Sequence, residues 1–237
     1  MAIFLCFMAW PMYAQEGEMV YVNSGTGFFV SNSGHVITNH HVVEGCKEVV
    51  LQGAVPRSMG KVVAVDKDYD LALIKAKDRP RRIATIRHPD ASKLRMNEPL
   101  LVMGYPLDSF KTAQYQIEEA RIVGLKGPTE EPHWIQFSDS AQHGNSGGPL
   151  LDSSGNVAGV VVGKSQLVQE RGRNGRPEVI QRSDVAISLP ILMRFLDRHY
   201  IAYRFNGSYS FRLSKQVEDM AKGYIVNVLC YQGEMPA

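Results

Sequence analysis

The segment GNSGGPL, residues 144–150, sets a single serine among three glycines. A serine hydroxyl becomes an effective nucleophile only when a base removes its proton and nearby donors stabilise the oxyanion that forms. Gly144 is able to aim successive backbone amides into one concavity, while Gly147 and Gly148 leave room for a substrate carbonyl. Taken alone, the segment is equally typical of a tight hairpin turn and of a catalytic turn with Ser146 as the nucleophile.

Two segments upstream carry the other groups that such a reaction needs. His40 and His41 end a predicted strand in TNHHVVEGC, and Asp70 opens another strand in DYDLALIK. A base, a carboxylate and a hydroxyl in the chain order His, Asp, Ser indicate a nucleophilic triad that ends at Ser146. Hydrolases with a nucleophile elbow need the order Ser, Asp, His on a strand-to-helix turn, so order and strand content exclude that class.

Short strands are the elements that must position these groups. From about residue 21 to residue 196, apolar runs rich in Val and Ile alternate with Gly, Pro, Asp or Asn, which is typical of an all-β sandwich or barrel. The clearest runs are KEVVLQG, GKVVAVD, DLALIKA, EPLLVMGY, EARIVGLKG, HWIQFS, NVAGVVVGKS and DVAISL. Two helices are predicted, near residues 189–200 and 214–222.

The composition is that of a folded soluble protein. Of 237 residues, 44% are hydrophobic and 21% are charged, which excludes disordered and fibrous classes. The 26 Lys and Arg nearly balance the 24 Asp and Glu, so the chain lacks the electrostatic footprint of a nucleic-acid partner. No apolar run reaches the roughly 18–20 residues that span a bilayer, and we expect no stable membrane insertion.

The N-terminus predicts export from the cytoplasm. Residues 1–14 (MAIFLCFMAWPMYA) form an apolar run that ends at a small residue before the polar QEGE. This pattern favours a signal peptide over a buried N-terminal strand or helix, although it lacks a basic start. We therefore expect a periplasmic or secreted protein.

The cysteines do not form a disulfide scaffold. Cys6 would leave with the signal peptide, so Cys46 and Cys230 would be the remaining pair. A bridge would close a loop of about 185 residues, but nothing in the sequence places the two Cα atoms within the roughly 7 Å that bridging requires. We expect two separate buried thiols, with the bridge as the alternative.

Several motifs follow one another between Ser24 and Pro190: SGTGFFVSNSGHVITNHHVV, DLALIK, VMGYP, IQFSDSAQHGNSGGPLLDSSGNVAGVV and DVAISLP. In these motifs the sequence resembles the trypsin-fold serine peptidases, and among them the bacterial HtrA (Deg) type. The resemblance implies an all-β fold with two six-stranded antiparallel β-barrels of the chymotrypsin/trypsin type and the active site between them. It places this domain at residues 20–197, with residues 198–237 as a short α/β extension, too short for a full PDZ domain.

The resemblance also implies a role for each catalytic group. His41 is the general base, and His40 takes a variable position of the motif. Asp70 orients the base, and Ser146 is the nucleophile. The backbone amides of Gly144 and Ser146 form the oxyanion hole. The scheme involves no cofactor and no metal.

The resemblance places the substrate pocket on both sides of the nucleophile. Ser140 takes the floor position, six residues before Ser146, and the wall is the following strand with Gly159, Val160 and Val161. A neutral floor predicts small to medium apolar substrate residues rather than Arg or Lys, although Asp139 is adjacent.

An arginine-containing loop leaves the end of that pocket wall, over residues 164–183. We expect a solvated excursion, and a specificity or regulatory loop is the alternative.

Together these features predict a serine endopeptidase that forms an acyl-enzyme on protein or peptide substrates, in extracytoplasmic quality control or processing. The competing hypothesis is a catalytically silent scaffold or chaperone of the same fold. The sequence leaves the oligomeric state open.

Overall fold

A computed structural model describes residues 20–88, 93–106, 114–128, 130–138, 140–164, 169–171, 177–179, 183–207 and 210–232. The predicted signal peptide (residues 1–14), Asp139 and most of the 164–183 loop lie outside these residues.

Strands dominate this described part of the chain. They are β1 (Val20–Phe29), β2 (His35–Thr38), β3 (Glu48–Gly53), β4 (Ser58–Asp66), β5 (Leu71–Ala76), β6 (Thr85–Arg87), β7 (Pro99–Gly104), β8 (Gln116–Gly124), β9 (Trp134–Ser138), β10 (Pro149–Asp152), β11 (Val157–Lys164), β12 (Gln169–Arg171), β13 (Pro177–Val179), β14 (Ser183–Ser188), β15 (Arg204–Asn206) and β16 (Ile225–Gln232). The helices are α1 (His40–Val43), α2 (Leu189–Arg198) and α3 (Ser214–Ala221).

The first barrel closes in the order β1-β16-β3-β4-β5-β2, with every neighbouring pair antiparallel. Its interior is filled by fully buried aliphatic and aromatic side chains such as Phe28, Ile37 and Leu51. Val and Ile at alternate positions suit a strand whose one face is buried, which is why these runs form the barrel wall.

The second barrel closes in the order β10-β7-β8-β9-β14-β11, because β10 also pairs with β11. Its core contains Val102, Phe137 and Val161, all fully buried. The short strand β6 pairs in parallel with β11, and β15 pairs in parallel with β6, so both extend the sheet beyond the barrel. Two closed six-stranded antiparallel barrels confirm the predicted fold class.

α1 was not predicted, because His40 and His41 were expected to end a strand, but the other two helices lie close to where they were predicted. α2 covers 189–198, and its buried residues Leu189, Leu192 and Leu196 recur at the spacing of one helix face. α3 covers 214–221. No helix among the described residues is both long enough and apolar enough to cross a bilayer.

The C-terminal tail is more deeply integrated than the sequence predicted. A helix and a strand were expected to pack on the barrels as an extension, but β16 is itself one of the six strands of the first barrel, between β1 and β3. Ile225–Cys230 are all buried, and pairing on both sides satisfies the backbone of this apolar run and of its two neighbours. The tail therefore completes the barrel that carries the histidine.

The prediction of two separate thiols was wrong. Cys46 and Cys230 form a disulfide, with their Cα atoms 5.3 Å apart across 184 residues of sequence. β16 runs beside the turn after α1, where the Lys47 amide donates to the Tyr231 carbonyl at 2.9 Å. That pairing brings the two sulfurs together, and it is a long-range contact that local sequence patterns do not contain.

Candidate active site

His41 and Asp70 meet at two points. The Nδ1 atom of His41 lies 2.7 Å from Oδ2 of Asp70, and the backbone N–H of His41 donates to Oδ1 of the same carboxylate at 2.9 Å. The carboxylate therefore fixes both the ring and the main chain of the histidine. The His41 side chain stays 44% exposed and that of Asp70 21%, so the ring is open to a substrate.

The position of Asp70 depends on an unusual backbone conformation. Its φ of 52° is left-handed, a region in which aspartate is tolerated better than most residues with a side chain. Its own carbonyl accepts from Nδ2 of the buried Asn39 at 2.9 Å and from the His40 amide at 3.1 Å. These two bonds hold the turn before β5 in the conformation that aims the carboxylate at α1.

A third contact holds the histidine from β1. The side-chain amide of Asn23 donates to the His41 carbonyl at 3.0 Å, at an irregularity in the β1–β16 pairing. Sequence reasoning missed Asn23, because a lone asparagine in a strand carries no distinctive motif.

Ser146 lies on a glycine turn that presses against the first barrel. A β-carbon at Gly147 would overlap backbone and hydroxyl atoms of Thr26 and Thr38, and one at Gly148 would lie 2.7 Å from the Met103 carbonyl. Gly147 also has a φ of 82°, which favours glycine. These glycines were predicted to leave room for a substrate carbonyl; the atoms they make room for here belong to the protein itself.

The two sides of the site meet at Gly25 in β1. A β-carbon there would lie 2.6 Å from a methyl group of Val42, the residue after His41, and 2.9 Å from the Ser146 carbonyl. The absence of a side chain at this position allows the histidine helix and the serine turn to approach each other.

The amides of the turn divide into bonded and unbonded groups. Gly147 N–H donates to the Val161 carbonyl at 2.8 Å, and Gly148 N–H donates to the Asn145 carbonyl at 2.9 Å. The amides of Gly144 and Ser146 have no acceptor within the described part of the chain. These are the two donors that were predicted for an oxyanion hole.

The Ser146 hydroxyl donates to the backbone carbonyl of Val162 at 2.8 Å, and no hydrogen bond joins it to His41 among the described residues. Val162 lies where the pairing of β11 with β14 is irregular. The neighbouring Gly163 lies close enough that a β-carbon there would be 3.7 Å from the serine Oγ. The hydroxyl is thus held on the β11 side of the site.

The predicted pocket residues are distributed differently from the expectation. Ser140 is half-buried, and its hydroxyl donates to the Ser138 carbonyl at 3.0 Å. Gly159, Val160 and Val161 are buried, and the two valines fill the core, so their side chains offer no surface to a substrate. The part of β11 that is accessible beside Ser146 begins one residue later, at Val162, because the strand becomes irregular there.

A buried carboxylate that sequence reasoning missed anchors the start of the serine segment. Oδ2 of Asp184, in β14, accepts from the Ser140 amide at 2.8 Å and from the Ala141 amide at 2.6 Å. Asp184 is fully buried. An acid inside the apolar run DVAISL was the available signal, because a buried charge requires hydrogen-bond partners.

Known proteins resemble this chain in sequence. The family described as "Trypsin-like peptidase domain" matches residues 25–160, more than half of the 237 residues. An uncharacterized protein of Sinorhizobium fredii, y4bJ, is 33% identical over 210 residues, which cover 88% of this chain and 32% of that protein. A probable periplasmic serine endoprotease, DegP-like, of Pseudomonas putida is 32% identical over 149 residues, 62% of this chain and 30% of that protein. The chain therefore spans about a third of the length of these relatives.

Two solved structures share the fold. The HtrA-type protease AlgW, solved with a decapeptide, aligns with a TM-score of 0.58 at 22% identity, over 73% of this chain and 50% of that one. The Rv3671c protease, solved in an inactive form, aligns with a TM-score of 0.56 at 25% identity, over 73% of this chain and 82% of that one. With its two closed barrels and the match over residues 25–160, this chain belongs to the trypsin-like peptidase domain family.

Proposed function

We propose that this chain is a serine endopeptidase that cleaves protein or peptide substrates through an acyl-enzyme. The observation that carries the proposal is the two-point contact of Asp70 with His41, which orients the imidazole. At Gly25 the helix that carries this histidine approaches the glycine turn that carries Ser146. A carboxylate on Nδ1 leaves Nε2 unprotonated and able to accept a proton, which is what a general base for a hydroxyl requires.

In the proposed mechanism, His41 takes the proton from Ser146 while Oγ attacks the scissile carbonyl. The oxyanion is stabilised by the amides of Gly144 and Ser146, which have no acceptor among the described residues. His41 then gives its proton to the leaving amine, and Asp70 stabilises the imidazolium during this step. Water attacks the acyl-enzyme with the same histidine as the base, and Ser146 is regenerated.

One rearrangement precedes this chemistry. The Ser146 hydroxyl donates a hydrogen bond to the Val162 carbonyl, so it must leave that acceptor before His41 can take its proton. Rotation about the Cα–Cβ bond of Ser146 moves the hydroxyl without moving the turn, and side-chain rotations of this kind are fast relative to turnover.

We also propose an extracytoplasmic location, periplasmic or secreted, with a role in protein quality control or processing. The Cys46–Cys230 bridge is typical of a protein in an oxidising compartment. The predicted signal peptide at residues 1–14 and the periplasmic name of the Pseudomonas putida relative point the same way.

The competing function is a catalytically silent scaffold or chaperone of the same fold. The observation in its favour is the hydroxyl of Ser146, which is bonded to Val162 rather than to the base. The two functions differ in whether that hydroxyl reacts.

A fluorophosphonate probe and a casein hydrolysis assay on the full chain distinguish them. We expect the wild-type chain to be labelled and to hydrolyse casein. Ser146→Ala and His41→Ala should each lower the turnover by about 10³- to 10⁶-fold. His40→Ala is the matched control, because only its backbone amide contacts Asp70, and it should keep its activity. A wild-type chain that is folded but unlabelled would support the silent scaffold. An active His41→Ala variant would show that His41 is not the base.

A further inference from the structure

Thr26, in β1 of the first barrel, directs its N–H and its hydroxyl at the serine turn. It is fully buried. Its N–H donates to the Ser146 carbonyl at 2.8 Å, and its hydroxyl donates to the Gly144 carbonyl at 2.7 Å. The same hydroxyl accepts from the Tyr105 amide at 2.8 Å, and the Thr26 carbonyl accepts from the Thr38 hydroxyl at 2.7 Å. Thr26 thus contacts the residues whose free amides are the proposed oxyanion donors.

These bonds determine the orientation of the serine turn. A peptide unit is planar, so a fixed carbonyl fixes the whole unit. Thr26 binds the carbonyls of Gly144 and Ser146, and so holds the peptide units 144–145 and 146–147. The Ser146 amide belongs to the unit between them, 145–146. The carbonyl of that middle unit, from Asn145, is held by the Gly148 amide at 2.9 Å. The direction of the Ser146 N–H is therefore set by its neighbours on both sides.

The turn needs this external support because of its own composition. Gly144 has a φ of 101° and Gly147 a φ of 82°, and glycines have access to many other backbone conformations. A glycine turn that binds an oxyanion must be held in one backbone conformation, because preorganised hydrogen-bond donors lower the reaction barrier. Among the described residues, Thr26 supplies the hydrogen bonds by which the first barrel restrains the turn.

Thr26 fits its place closely. A β-carbon at Gly148 would lie 3.1 Å from the methyl group of Thr26, and a β-carbon at the preceding Gly25 would lie 2.9 Å from the Ser146 carbonyl. The methyl group therefore faces Gly148. A β-branched side chain has few rotamers, which favours the one that directs the hydroxyl at Gly144.

We propose that Thr26 is the positioning residue of the nucleophile turn. It holds the peptide units on both sides of the Ser146 amide, and so keeps that amide in the orientation that binds the oxyanion. It does so from the opposite barrel, without touching the substrate. The Thr38 hydroxyl ties the same residue to the strand that leads to His41, so the two halves of the site share one anchor. This inference rests on the proposed function of Ser146.

The test compares three variants of the full chain. Thr26→Val keeps the shape and the backbone bonds but removes the hydroxyl, and Thr26→Ser keeps the hydroxyl. Ser58→Ala is the matched control, because it removes a buried hydroxyl in β4 whose bonds, to Met59 and Asp78, do not reach the turn. Turnover, KM and the rate of fluorophosphonate labelling are measured, with thermal unfolding as a check on folding.

We expect Thr26→Val to lower kcat and the labelling rate together by about 10- to 100-fold, with KM changed less than about threefold, because an oxyanion contact acts on the transition state. Thr26→Ser should recover most of this loss, and Ser58→Ala should match the wild type. If Thr26→Val does not fold, Thr26→Ala is measured instead, since it leaves space for solvent to reach the Gly144 carbonyl and the Tyr105 amide, and the same loss is expected.

A folded Thr26→Val or Thr26→Ala with wild-type kcat would overturn the role of Thr26 and leave the proposed function standing. An equal loss in Ser58→Ala would also overturn it, because general destabilisation would then explain the effect. A wild-type chain that is neither active nor labelled would overturn the proposed function and this inference with it.

Discussion

The histidine half and the serine half of the site are held in different ways. His41 is fixed by residues of its own barrel: Asp70 holds its ring and its amide, and Asn23 holds its carbonyl. Ser146 belongs to the second barrel, but its carbonyl and that of Gly144 are held by the first. Among the described residues, the base is therefore held by its own barrel, whereas the nucleophile turn is held by both barrels.

This difference indicates which half is sensitive to change. A small shift between the barrels would leave the bonds of His41 to Asp70 intact, because none of them crosses the contact. The same shift would break the bonds of Thr26 to the serine turn. The hydroxyl of Ser146, already bonded to Val162, is likewise on the side of the site that has to rearrange. Control of activity is thus more readily exerted on the serine half.

Among the variants that test this comparison, the largest effect is expected from Asp70→Asn, which breaks the histidine half without removing a side chain. The new amide keeps one oxygen for the His41 backbone, but its nitrogen only donates, so it would hold Nδ1 as an acceptor and leave the proton on Nε2. An imidazole in that tautomer cannot take the serine proton, and kcat should fall by about 10⁴-fold. The steady-state rate of casein hydrolysis measures this loss of kcat.

Asp68→Asn is the control for this variant. Asp68 is exposed in the same turn, two residues earlier, and should keep its activity. An Asp70→Asn chain as active as the wild type would show that the contact between Nδ1 and the carboxylate is not used in catalysis.

The contrast between the halves also explains what sequence was able to predict. His41, Asp70 and Ser146 each lie in a compact local motif. The alternation of short strands predicted an all-β sandwich or barrel, and the family resemblance implied the two six-stranded barrels. Thr26 and Gly144 are 118 residues apart, and the groups that Thr26 binds are backbone carbonyls, which any residue type provides. No residue pattern encodes such a contact.

The place of β16 escaped prediction for a related reason. An apolar strand predicts burial but not a partner, and pairing with β1 crosses almost the whole chain. The disulfide follows from where β16 lies beside β3 and the turn before it, so it could not be derived before β16 was placed. Asp184 was visible as an acid in an apolar strand, but its acceptor role depends on how β14 lies beside Ser140.

Removing the disulfide should have an intermediate effect, and it tests the histidine half. The double variant Cys46→Ser, Cys230→Ser should lose about 3 to 5 kcal/mol of unfolding free energy, since the bridge closes a long loop in the unfolded chain. Denaturant unfolding measures the loss. Because the bonds to His41 do not pass through the bridge, kcat of the folded variant should stay near that of the wild type.

Added reductant separates the stability lost with the bridge from the effect of replacing the two cysteine side chains. It should lower the stability of the wild-type chain toward that of the double variant and leave the double variant unchanged. A wild-type chain whose unfolding is indifferent to reductant would contradict a stabilising bridge, and a large loss of kcat in the folded double variant would contradict the local support of His41.

The smallest effect is expected at Asp184, which supports the serine half from within its own barrel. Asp184→Ala leaves the Ser140 and Ala141 amides without their acceptor in a buried place, which should cost about 1 to 3 kcal/mol of unfolding free energy. Asp184→Asn keeps an oxygen that both amides are able to share, so it should recover most of that loss.

The effect of Asp184 on turnover should be weaker than that of Thr26, because the amides of Ser140 and Ala141 that it binds precede the glycines of the turn, whereas Thr26 holds Gly144 and Ser146 directly. We expect kcat of Asp184→Ala to fall by less than about tenfold, a change of less than about 1.4 kcal/mol in the barrier. A loss in Asp184→Ala as large as that in Thr26→Val would mean that the serine turn is positioned mainly by its own barrel. The two halves of the site would then be built alike.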